Sequence, residues 1–213
     1  MLEIKHSILD AGRRMIDRGL VAGTWGNISV CDRIGGPIAI TPSGMPYDQL
    51  KMDDIVVVDL DGTVISTGRP SSELALHLAI YKARPDVGAI VHTHSLYATA
   101  CAVAGKSIPP SLEEMVQVVG GPVEIAEYAL PGTEALAANA VAALSDRSAV
   151  LLSNHGAVAC AASIDEALLI AEIVEKAAHI HVIAEQLGGA RRLIDEDILL
   201  MRNFYVEKYR NIK

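Results

Sequence analysis

The short apolar run Val87-Gly88-Ala89-Ile90-Val91 leads directly into His92-Thr93-His94-Ser95. It reads as the end of a buried strand, whose two-residue period points both imidazoles to one face. A buried strand requires a sheet around it, and this one delivers two metal-competent side chains where it ends. A second short run, Leu151-Leu152, closes on Ser153-Asn154-His155-Gly156. Three neutral imidazoles with an open position suit Zn²⁺ or a similar divalent ion acting on a bound substrate. The competing reading is three ordinary polar residues at strand ends.

The sheet is not a pure βαβ repeat. Ile55 to Leu60, then Asp61-Gly62, then Thr63 to Ser66 is a hairpin pattern, in which Asp-Gly supplies the positive φ angles of a type I′ turn. At 213 residues and 51% hydrophobic content the chain carries one sizeable core, with no linker or internal repeat, so residues 1–213 are expected to form a single α/β domain. No apolar run reaches membrane-spanning length and the first residues lack a secretory layout, which predicts a cytoplasmic protein. A net charge of −8 without a Lys/Arg block argues against nucleic acid and anionic membrane partners. Cys31, Cys101 and Cys160 are odd in number and far apart, so they read as packing residues.

Along the chain, Ile4 to Arg18 has the spacing of an amphipathic helix. In Gly23-Thr24-Trp25-Gly26-Asn27 two glycines then open the backbone to an anion, with Thr24 and Asn27 as donors, although taken alone the stretch reads more readily as a plain turn. Ile38-Ala39-Ile40 precedes a tight turn, Thr41-Pro42-Ser43-Gly44. Pro70-Ser71-Ser72-Glu73 opens a helix, with the serines as caps and Glu73 in the first turn. Glu73 is either a carboxylate complementing the helix dipole or a group held beside the histidines as ligand, base or both. His77, at i+4, reads as a packing or supporting residue. His179 and His181 are also two apart, but on a helix that spacing separates them by about 200° and makes no ligand pair.

Gly23-Thr24-x-Gly26-Asn27-x-Ser29, Ile40-Thr41-Pro42-Ser43-Gly44, Pro70-Ser71-Ser72-Glu73, His92-x-His94 and Asn154-His155-Gly156, in this order and spacing, resemble the class II aldolase/adducin family, closest to its fuculose-phosphate aldolase branch. The resemblance covers roughly residues 5 to 209. It implies a three-layer α/β/α fold around a largely antiparallel, mixed sheet, and a homotetramer with active sites at subunit interfaces. It implies Zn²⁺ on His92, His94 and His155, with Glu73 as reversible fourth ligand and base. Mn²⁺, Co²⁺ or Fe²⁺ would also be accepted by such ligands. The implied substrate phosphate site is Asn27, Ser43, Gly44, Ser71 and Ser72. The implied reaction is cleavage of a small ketose 1-phosphate, like L-fuculose 1-phosphate or a 5-deoxy-pentulose 1-phosphate, to dihydroxyacetone phosphate and an aldehyde through an enediolate.

One segment departs from that pattern. Where the fuculose-phosphate branch places a tyrosine proton donor from the neighbouring subunit, this chain has Glu113-Glu114. A glutamate before methionine is similar to the methylthioribulose-1-phosphate dehydratases, and makes Glu114 the candidate acid/base residue. The alternative is a solvated pair on a surface turn. Tyr205 and Tyr209 are further candidates from the last helix, expected over Asp195 to Tyr209. The rival functions are the dehydratase and a phospho-sugar-acid decarboxylase, for which Arg69 is the available cation. Beyond them stand an adducin-like interaction module, whose metal ligands would be missing, and a generic zinc hydrolase.

Overall fold

The computed structural model describes residues 1–209, without the side chain of Tyr209. The elements in chain order are α1 (Leu2–Asp17), β1 (Asn27–Cys31), β2 (Ile38–Ile40), β3 (Val56–Val58), α2 (Leu74–Ala83), β4 (Ala89–Thr93), α3 (Leu96–Val103), α4 (Glu113–Val119), β5 (Glu124–Ala126), α5 (Glu134–Leu144), β6 (Ala149–Leu152), β7 (Gly156–Ala161), α6 (Ile164–Gln186) and α7 (Asp195–Phe204). The seven strands form one open sheet in the order β3-β2-β1-β4-β7-β6-β5. Only β5 and β6 pair in parallel. The sheet is therefore mixed and largely antiparallel, as expected.

Helices cover both faces because alternate strand residues enter two separate cores. Ile38, Ile40, Ile90, Val150, Leu152 and Val158 pack with Leu76 and Ile80 of α2 and Leu136 and Ala140 of α5. Their neighbours Ala39, Ala89, Val91, Leu151, Ala157 and Ala159 face α1, α3, α4, α6 and α7. The alanines on this second face lie opposite Ala167, Ala171, Ala177 and Ala178 of α6, so the long helix packs closely on β4 and β7.

Two local expectations are corrected. The second hairpin arm shrinks to one bridge, Val58 to Val64. Its turn is not type I′, because Gly62 has φ +89° while Asp61 does not enter the left-handed region. Asp59 organises the turn instead: its carbonyl accepts from Gly62 N, and its carboxylate accepts from the Asp61 and Thr63 amides. In the second case, Glu113 and Glu114 do not lie on a surface turn; they open α4 as its acidic first turn. No helix among the described residues is long and apolar enough to cross a membrane.

Candidate active site

His92 is the penultimate residue of central strand β4, opposite Asn27 of β1 on one side and Val158 of β7 on the other. His94 lies just beyond the strand and is tied by its amide to Leu20 O at 3.1 Å. His155 sits in the turn between β6 and β7, where Asn154 adopts φ +57° and His155 N bonds Leu152 O at 3.0 Å. Asparagine tolerates that left-handed conformation better than most residues. Glu73 is itself the N-cap of α2, one position earlier than the sequence suggests. Ser71 Oγ accepts from the Glu73 amide at 3.2 Å. The Glu73 side chain thereby leaves the helix and turns to the histidines.

The four groups converge. One donor atom from each of Glu73, His92, His94 and His155 lies within 4.8 Å of the others. Glu73 Oε2 is 3.1 Å from His92 Nε2 and Oε1 is 3.4 Å from His155 Nε2, while His94 Nε2 is 3.0 Å from His92 Nε2. His92 Nδ1 donates to the Ala157 carbonyl at 2.9 Å, which fixes the ring and leaves the Nε2 lone pair of the neutral form aimed into the cluster. Glu73 Oε1 is buried and accepts no hydrogen bond. An orphaned carboxylate oxygen facing three convergent imidazoles fits a divalent cation of the zinc type.

The electrostatics agree with that fit. Burial alone would raise the Glu73 pKa, but His92, the Asn27 amide and His155 outweigh it and hold the carboxyl well below its usual range. His92 is raised, since Glu73 and the Ala157 carbonyl overcome its burial. Burial, reinforced by His92, pushes His94 down to about 3 and His155 to about 4, so both rings stay neutral.

A cavity of about 520 Å³ opens beside the cluster. Asn27, Ser43, Gly44, Ser71 and Ser72 all line it, so the structure brings the expected phosphate residues together next to the expected ligands. Their donors are not equivalent. The Ser43 and Ser71 amides are already bonded to the Arg69 and Thr41 carbonyls, which leaves these residues their hydroxyls. The Gly44 and Ser72 amides have no partner among the described residues. Asn27 spends one amide hydrogen on Glu73 Oε2 and has a second to offer.

Other candidates stand apart. Glu114 does not join the site of its own chain: it pairs with Lys176 of α6 at 2.6 Å, and neither it nor Glu113 lines the cavity. Tyr205 is buried with its hydroxyl on Glu166, and Arg69 is not in the cavity wall. The Tyr209 side chain lies outside the described residues. Asn154 of the Asn154-His155-Gly156 motif also lines the cavity, as do Trp25 and Pro131, to which the sequence pattern assigns no role. Trp25 is 65% exposed and its ring lies 5.6 Å from that of His94. A tryptophan between two glycines with no apolar run beside it was the available signal.

The family model for the class II aldolase and adducin N-terminal domain matches residues 6–182. The 5-deoxy-D-ribulose 1-phosphate aldolase of Bacillus thuringiensis serovar kurstaki is 40% identical over 195 residues, 91% of each chain. The 5-methylthioribulose-1-phosphate/5-deoxyribulose-1-phosphate aldolase of Rhodospirillum rubrum is 38% identical over 199 residues, 93% of this chain and 86% of that protein. A solved L-fuculose 1-phosphate aldolase superposes with a TM-score of 0.93 at 40% identity, covering 96% of each chain.

Proposed function

The chain belongs to the class II aldolase and adducin family, and from that membership we propose that it is a metal-dependent lyase cleaving a 5-deoxy-pentulose 1-phosphate, or a close analogue, to dihydroxyacetone phosphate and an aldehyde. The observation that carries this reading is the junction of the Glu73, His92, His94 and His155 cluster with the cavity lined by Ser43, Gly44, Ser71 and Ser72. The relatives named above set the substrate class.

The residues divide the work. The Gly44 and Ser72 amides, the hydroxyls of Ser43 and Ser71 and the second Asn27 hydrogen hold the phosphate dianion, without a lysine, at the N-terminus of α2. Anchoring that end places C2 and C3 at the histidines. A divalent ion held by His92, His94, His155 and Glu73 would supply Lewis-acid stabilisation of the charge developing on the C2 and C3 oxygens. In cleavage, the C4 hydroxyl loses its proton, the C3–C4 bond breaks, and its electron pair passes to the enediolate of dihydroxyacetone phosphate. Glu73, freed from its ligand role and protonated from solvent, delivers that proton to C3, and as the ionised carboxylate it takes the proton away in the condensation direction. Glu114 of a neighbouring subunit is the group we assign to the C4 hydroxyl, because among the described residues the cavity wall holds no acid/base carboxylate besides Glu73.

The same proposal includes Zn²⁺ as the ion, a cytoplasmic homotetramer with sites at subunit interfaces, and a single domain. Tyr128 and Leu130, 58% and 64% exposed just before the cavity residue Pro131, support an interface beside the cavity.

The test is proton NMR of dihydroxyacetone phosphate in D₂O with the protein, with and without a chelator. Chelator-sensitive loss of one hydroxymethyl proton supports the reading. Metal-loaded, folded protein that exchanges no proton and releases no dihydroxyacetone phosphate from 5-deoxyribulose 1-phosphate would refute it. Water loss from methylthioribulose 1-phosphate would then favour the dehydratase.

A further inference from the structure

A series of hydrogen bonds runs from the site into the core, and its direction is fixed at the end that touches Glu73. Glu73, His77 and Tyr81 follow one another at four-residue intervals along α2, while Asn27 and Ser29 alternate on β1. Four helical residues rise about 6 Å and two strand residues about 6.7 Å, so the two series stay in step. Asn27 fits between Glu73 and His77, and Ser29 between His77 and Tyr81. Asn27 Nδ2 is 2.8 Å from Glu73 Oε2, and His77 Nε2 is 2.5 Å from Asn27 Oδ1. Ser29 Oγ is 2.6 Å from His77 Nδ1 and 2.8 Å from Tyr81 OH. None of the five residues is more than 6% exposed, so water does not compete for these contacts.

The protons can be assigned one after another. An ionised carboxylate only accepts, so Asn27 presents its NH₂ to Glu73 and its carbonyl to His77. A carbonyl also only accepts, so His77 carries its proton on Nε2, and Nδ1 of the neutral ring is a bare acceptor. The Ser29 hydroxyl donates to that nitrogen, and the Ser29 oxygen accepts from Tyr81. Burial, together with the His92 charge, depresses His77 to about 3, in keeping with a neutral ring. The opposite flip of Asn27 would set its carbonyl against the Glu73 carboxylate in a buried site.

We propose that His77 is a positioning residue for Glu73: backed by Ser29 and Tyr81, it locks the Asn27 amide so that Nδ2 holds Glu73 Oε2 and leaves Oε1 directed toward His155. The proposal rests on Glu73 being a metal ligand and names what orients it. Because the same flip turns the remaining Asn27 hydrogen away from His77, it also presents a donor, rather than a carbonyl, to an anionic substrate.

The experiment titrates metal-free protein with Co²⁺ against a competing chelator and records the visible spectrum of the bound ion. His77→Phe keeps the ring volume and removes both hydrogen bonds. It is expected to weaken Co²⁺ binding by about 10- to 100-fold and to change the spectrum, the usual range for losing a partner behind a metal ligand. His77→Gln restores an N–H to Asn27 and should recover most of the affinity. A folded His77→Phe protein with wild-type affinity and spectrum would overturn the proposal, since a purely structural role lowers stability with and without metal alike. If His77→Phe does not fold, Ser29→Ala and Tyr81→Phe should still weaken Co²⁺ binding, and wild-type affinity in both would be equally fatal. Imidazole ¹⁵N shifts give an independent reading: neutral His77 protonated on Nε2 is expected, and the Nδ1–H form would reverse the series and refute it. Wild-type protein that takes up no Co²⁺ would instead refute the metal reading, and the tautomer measurement would still decide the hydrogen-bond series.

Discussion

Gly156 lies so close to Thr93 that a Cβ on Gly156 would stand 2.3 Å from the Thr93 carbonyl oxygen. Thr93 separates His92 from His94, and His155 immediately precedes Gly156. The contact therefore sets how near the β6–β7 turn comes to the end of β4, and with it how near the third imidazole comes to the other two. Backbone on the far side leaves no flexible neighbour to give way. Gly156→Ala is expected to cost about 1–3 kcal/mol of stability, the range for overpacking, and to weaken divalent-metal binding. Denaturant unfolding and metal titration check both. Unchanged metal affinity in a destabilised protein would show that the spacing is not what assembles the ligands.

Glu73→Gln keeps the shape of the side chain and removes its charge. The Asn27 amide then faces a group that donates as well as accepts, and His92 loses the anion that raises its pKa. The expected result is a fall in kcat of about 10²- to 10⁴-fold, as for loss of a positioned acid/base group, with loss of proton exchange into dihydroxyacetone phosphate. Exchange at the wild-type rate would move the base elsewhere.

The site was readable in the sequence where chemistry and spacing coincide. His92 and His94 leave a buried strand together, and small polar residues in Gly- and Pro-rich turns mark the anion cradle. What could not be read are relationships between elements. That Glu73 stands at the N-cap position of α2 with its side chain turned to the histidines goes with Ser71 Oγ taking its amide. That Asn27 touches His77 depends on β1 lying under α2, although the four-residue spacing of Glu73, His77 and Tyr81 beside the two-residue spacing of Asn27 and Ser29 was visible all along. The Asp59 turn was misread because a dipeptide rule cannot see that a preceding carboxylate organises the loop. The helical start at Glu113 was missed because its apolar positions Met115, Val116, Val118 and Val119 crowd too closely to show a single stripe.

Trp25 is the only tryptophan in the chain, and its ring lies 5.6 Å from that of His94 at 34°. Its emission should therefore report on the metal centre, with Co²⁺ or Ni²⁺ quenching it and a chelator restoring it. Metal at 100 times its Kd should also stabilise the fold by about 2.7 kcal/mol, measured as a Tm that falls on chelation. Trp25→Phe should abolish the optical signal while keeping the Tm shift. A Tm shift with no change in Trp25 emission would mean that the ion sits away from His94.

Glu114 and Lys176 are joined by an ion pair with side chains 41% and 57% exposed, a pair of the kind that contributes about 0–1 kcal/mol. Glu114→Gln should therefore fold normally, and any large loss of turnover belongs to chemistry rather than stability. Glu73 faces its own chain's cavity, and Glu114 does not. If Glu114 serves the neighbouring subunit's cavity, the two residues of one working site come from different chains. Separately inactive Glu73→Gln and Glu114→Gln proteins should then complement each other when unfolded together and reassembled. Random assortment in a closed ring leaves roughly a quarter of the sites with both carboxylates intact, so about that share of wild-type turnover should return. Mixed oligomers that stay inactive would remove Glu114 from the trans role, and near-wild-type turnover by Glu114→Gln alone would remove it from the reaction.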